Sequence, residues 1–131
     1  MPRHGARPLV LWSWIVLALL AAHDVTHMLD DGLETPLGLF ALVAIPQWLV
    51  LAIVMAIVLR GDLAQSRAAA LVLGVSVVAG FAVVHLLPGL PTGFWGLEPS
   101  PVSWLLAWMT AAAGLLLTVL ARQRQRASRP A

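Results

Sequence analysis

His23 and His27 stand four residues apart inside a long apolar stretch. On an α-helix that spacing turns two side chains by only about 40°, so both leave the same face. Two imidazoles so placed suit the gripping of one metal ion. Asp31 continues the stripe if the helix persists to it, and Asp24 stands three residues before His27. His85, in a second apolar stretch, supplies a third imidazole. Three histidines with a carboxylate suit zinc or copper better than a hard ion such as magnesium. An ion held there could be stored, sensed or passed on, or could activate a water if one coordination position stays open.

His27 and His85 could instead clamp a b-type haem between facing helices of a bundle. One such pair holds a single haem, which does not carry electrons across a bilayer unaided, so haem is the less favoured cofactor. A proton relay through His and Asp side chains is a further option, but only Ser13, Ser76 and Thr118 would continue it through the other half of the chain's thickness. Hydrolase chemistry lacks support. Ser100 and Ser103 are the only serines able to approach the histidines, without a Gly-x-Ser-x-Gly elbow, and the loop of Gly89, Gly93 and Gly96 lacks the lysine of a phosphate cradle. An enzyme is therefore not the expectation.

Long helices must position these groups. Four apolar stretches, at about residues 9–29, 37–59, 68–87 and 102–121, each have the roughly 20 residues that a bilayer's hydrocarbon core requires. Asp30, Asp31, Gly32 and Pro36, then Arg60, Gly61 and Asp62, then Pro88, Pro91, Pro99 and Pro101 punctuate them as turn and helix-stop residues. Composition agrees: of 131 residues, 60 % are hydrophobic and 11 % charged. A surface that apolar belongs in a lipid bilayer. The expected fold is an all-α membrane protein, a single domain over residues 1–131 built as a four-transmembrane-helix up-down bundle.

All eight basic residues are arginines: Arg3 and Arg7 precede the first helix, Arg60 and Arg67 flank the second connection, and Arg122, Arg124, Arg126 and Arg129 follow the fourth helix. The positive-inside rule then sets both termini in the cytoplasm of a cell (plasma) membrane. His23, His27 and His85 fall toward the opposite leaflet, where the connections hold Asp30, Asp31, Glu34 and Glu98. Arginines gathered at helix ends, with a net charge of only +2, speak against nucleic acid as a partner. The tail from Arg122 to Arg126 serves as a topology signal, with attraction to anionic lipid a secondary effect. Arginine without lysine suggests a GC-rich bacterial genome. A cleaved leader over residues 1–22 is the competing expectation for the N-terminus, but Leu20-Ala21-Ala22 is a poor cleavage site and the apolar run continues past it. With no cysteine, disulfides, thiolate metal sites and thiol nucleophiles are excluded.

His23 lies six residues inside the end of the first stretch, about 9 Å by helix rise. Ionisable groups at that depth are costly unless they face protein or water, which makes them functional candidates. If the helix ended near Ala22 instead, residues 23–31 would be a wet interfacial turn. Val25-Thr26-His27-Met28-Leu29 and Val83-Val84-His85-Leu86-Leu87 are alike, as are Pro46-Gln47-Trp48-Leu49 and Pro101-Val102-Ser103-Trp104-Leu105. Two duplicated hairpins related by an axis along the membrane normal would make His27 and His85 symmetry mates. Small residues at Ala70 and Gly74, Ser76 and Gly80, and Thr110, Gly114 and Thr118 allow close helix approach. They serve the bundle, or further membrane subunits if the protein is an accessory chain without chemistry of its own. Pro46 is expected to kink the second helix beside Gln47. Trp12 and Trp14 at one boundary, and Trp95 and Trp104 at the other, are expected as interfacial anchors.

Overall fold

A computed structural model describes residues 6–30, 37–87 and 100–126, and within them all side chains except those of His27, Met28, Asp30, residues 37–44 and residues 124–126. Every described element is a helix. Helix α1 spans Arg7–Asp30, α2 Leu37–Arg60, α3 Leu63–Phe81 and α4 Pro101–Arg126, and α3 passes into a π-helical turn over Ala82–Leu86. Helix is the form in which each backbone N–H and C=O of a lone apolar segment is satisfied without water. Three segments, Arg7–Thr26, Leu63–Leu86 and Pro101–Gln123, are long and apolar enough to cross a membrane. The described apolar part of α2, Ile45–Arg60, is shorter, although the whole helix has 24 residues and continues through Pro46. Large apolar side chains such as Leu11, Ile53, Val72, Leu105 and Leu116 lie exposed on the outside. Such a coat suits hydrocarbon.

Helix α3 starts five residues before the position expected from hydropathy, for a local reason. The Asp62 side chain accepts a hydrogen bond from the Gln65 backbone N–H at 2.8 Å, and the Gln65 side chain accepts one from the Asp62 N–H at 2.9 Å. This reciprocal capping box satisfies two donors that a helix start leaves over. Asp62→Ala is expected to lower the stability of the purified protein by about 1 kcal/mol, read as a lower midpoint of thermal unfolding in detergent. An unchanged midpoint would show that the cap contributes nothing. Ser66, 1 % exposed, then ties α3 to α2 by donating to the Val58 carbonyl at 3.0 Å.

Side-chain pairs fix the directions of the helices. Gly74 meets Gly114, Phe81 meets Trp108 and His85 meets Trp104, so the partner number falls as α3 advances and α3 and α4 are antiparallel. His23 meets His85 near the C-terminal ends of α1 and α3, which therefore run parallel. Arg7, Arg60, Arg67 and Arg122 consequently belong to one end of the bundle and His23 and His85 to the other.

The two ends are packed differently. Leu9, Val16, Val58, Ala70, Leu73 and Leu117 form the centre of a core at the arginine end. Next to it, a Cβ added to Gly74 would lie 2.6 Å from the Gly114 carbonyl oxygen and 2.5 Å from Thr118 Oγ1. Thr118 Oγ1 itself donates to that carbonyl at 2.9 Å. Backbone approaches backbone here, as small residues allow in helix pairs without a water-driven force between them. A Cβ added to Gly80, nearer the histidines, would meet nothing within 4 Å.

Candidate functional site

Helix α1 does not end at Ala22; it remains helical to Asp30, so His23 and Asp24 are helix residues rather than parts of a wet turn. His23 is 5 % exposed and His85 is 7 % exposed. Their Nε2 atoms lie 3.1 Å apart, with ring centroids at 5.0 Å. At this distance one proton can be shared between two neutral imidazoles, one nitrogen donating and the other accepting.

Aromatic side chains hold the second ring in place. Phe81, one turn before His85, stacks on it with centroids 5.1 Å apart and planes 17° apart. Trp104 meets the same ring edge-on at 5.8 Å, and Trp108 packs on Phe81 at 4.8 Å. Trp104 is therefore more than a boundary anchor. The π-helical turn over Ala82–Leu86 contains His85. Wider turns of this kind re-aim side chains and recur at functional sites.

Asp24 is placed by the α1/α2 hairpin. Its Oδ2 accepts a hydrogen bond from Trp48 Nε1 at 3.0 Å. Trp48→Phe removes that donor and is expected to lower the thermal midpoint by an amount equivalent to roughly 1–2 kcal/mol. A melting curve that coincides with wild type would show that the bond contributes nothing to stability.

His23, Asp24 and His85 line one cavity of about 270 Å³, together with Gln47, Gly80 and Thr110 among others. Ser76, Gly80 and Val84, spaced by four, lie exposed on the stripe of α3 that borders it. Among the described residues, no three His or acidic side chains come together as a metal-holding group. The side chain of His27 and all of Asp31 lie outside the described residues, as do Trp95 and the loop of Gly89, Gly93 and Gly96. Among the described side chains, His85 therefore meets His23, and the pairing of His85 with His27 that duplication would give falls outside the described residues. Ser100 accepts from the Ser103 N–H at 3.2 Å, which is the work of a helix N-cap and not of a nucleophile.

Trp48, Phe81 and Gly80 are site residues that sequence reasoning missed. Two carried a signal: Phe81 precedes His85 by four, and antiparallel α1 and α2 joined by a short connection bring residues near 24 and 48 together. Comparison with family models, curated proteins and solved structures finds no match to this chain.

Proposed function

We propose that this is a small four-helix plasma-membrane protein, both termini cytoplasmic, whose His23–His85 pair is the core of a metal site in its outer half. The observation that carries this is the buried Nε2···Nε2 distance of 3.1 Å. Two nitrogens each about 2.0–2.1 Å from a tetrahedral zinc lie about 3.3 Å apart, so the pair already has the edge that such an ion needs. Asp24 lines the same cavity and is the nearest carboxyl group in sequence. Position 27, one helical turn beyond His23 on α1, is the further candidate ligand. Asp31 remains a candidate on the same grounds as before.

The common arginine end supports the cytoplasmic placement of the termini, since positive charge is retained on that side. The small-residue seam, by contrast, lends no support to an accessory subunit: Gly74, Gly114 and Thr118 are engaged with one another inside the chain. A haem between His27 and His85 would require His85 to turn away from His23 or iron to enter between them, where 3.1 Å is short of two metal–nitrogen bonds in line. Zinc or copper is the ion proposed. Metal analysis of the protein purified in detergent, against a His23→Ala, His85→Ala variant, is the test. Equal and negligible metal in both would sink the site, and a Soret band would favour haem.

A further inference from the structure

We infer that the cavity beside the histidine pair binds the ring of a lipid-soluble quinone or quinol. The inference goes beyond the ion and stands on the cavity. Its volume of about 270 Å³ falls just under the range that encloses whole drug-sized ligands, so it fits one ring rather than a complete amphiphile. Its ionisable lining residues form one polar end, His23 standing beside Asp24 in the chain and 3.1 Å from His85, while Gln47, Ser76 and Thr110 are the other polar residues that line it. The remaining walls are Leu20, Leu51, Val77 and Phe81, with Gly80 leaving the space open.

This polar end selects for a neutral head. The Gln47 side chain carries both functions such a head needs, an amide N–H to donate to a ring carbonyl and an amide oxygen to accept from a ring hydroxyl. A fatty carboxylate would meet Asp24 as a second acidic group, and an ammonium would leave the donors of Gln47 and the histidines facing a cation. The same groups serve both the quinone and the quinol, which differ by donor and acceptor at the ring oxygens. Phe81 adds an apolar wall to the cavity.

Access is lateral. Ser76, Gly80 and Val84 border the cavity along about 12 Å of α3 by helix rise, and all three are exposed. A ligand dissolved in the bilayer reaches such a border without passing through water, and its isoprenoid tail stays in lipid. Gly80 lines this border, and a Cβ added there would meet nothing within 4 Å, so the border is open at that point.

The test is titration of the full-length protein in detergent with a decyl-substituted benzoquinone, read by tryptophan fluorescence. Trp104 and Trp108 pack on His85 and Phe81, within quenching reach of a ring in the cavity. Saturable quenching is expected, weakened about tenfold or more in Gly80→Leu by steric exclusion and less in Gly80→Ala. Unsaturable quenching, or equal affinity in wild type and Gly80→Leu, would overturn the inference. Displacement by decanoate as readily as by the quinone would overturn it too, by showing a tail slot indifferent to the head. Metal content is measured on the same samples. Saturable quenching in protein that binds no metal overturns the ion and keeps the quinone, and metal without quenching does the reverse.

Discussion

Protein purified in mild detergent from zinc- or copper-supplemented cells is expected to carry about one equivalent of ion, and the His23→Ala, His85→Ala variant less than about a tenth of it. The expectation follows from geometry. Two buried imidazole nitrogens 3.1 Å apart need little movement to share an ion. Removing both leaves at most His27, Asp31 and Asp24, whose Oδ2 is engaged by Trp48, without the paired imidazoles that define the site. Loss of metal through general unfolding is distinguished by melting. In the apo state the variant and wild type should differ only by the cost of the emptied ring sites. Added ion should raise the wild-type midpoint alone, by the equivalent of about 2.7 kcal/mol when free ion is 100 times the dissociation constant. Ion that stabilises both proteins equally would place binding elsewhere on the chain.

The second large effect is steric. Gly74→Ala is expected to destabilise the protein by about 1–3 kcal/mol, and Gly74→Leu by more, because a side chain there enters occupied space. What it meets is the Gly114 carbonyl at 2.6 Å, and backbone yields only if α3 and α4 move apart. That movement also breaks up the neighbouring core of Leu73, Ala113 and Leu117. Gly80→Ala is the matched control on the same helix, since its Cβ would meet nothing within 4 Å. Thermal unfolding in detergent, followed by near-ultraviolet circular dichroism, compares the two. Equal midpoints for Gly74→Ala and Gly80→Ala would refute the close seam.

The contrast between these glycines shows what one-dimensional information carries. Spacing by four marked Gly74, Gly80 and Gly114 alike as approach points. Only three-dimensional register separates a glycine pressed against a carbonyl from one that faces a hollow. Helix content was legible because long apolar stretches have a single solution in hydrocarbon. The boundary at Leu63 was missed although Asp62 and Gln65 announce it, since a polar first turn carries no weight in a hydropathy scan.

The candidate site was legible in its residue types and less so in its pairing. A buried histidine inside an apolar run stands out whatever the fold does, and His23 is a helix residue because α1 continues to Asp30. The choice of His23 as the neighbour of His85 depends on the axial offset of two parallel helices and on a π-helical turn, neither of which leaves a periodic trace in the sequence. Trp48 entered the site through hairpin geometry. Its indole is close to Asp24 because a short connection makes the register of α1 and α2 nearly symmetric about it.

The uneven packing of the two ends sets where the molecule can breathe. With α3 and α4 pinned backbone to backbone at Gly74 and Gly114, the seam acts as a fulcrum, and any spreading of the helices grows with distance from it toward the histidines. Amide hydrogen exchange should follow that gradient, slowest around Leu73 and Leu117 and faster through Ala82–Leu86. Occupancy of the cavity would then slow exchange at one pole of the bundle and leave the arginine pole unchanged. A chain pivoted in this way would take up or release a ligand at its histidine pole.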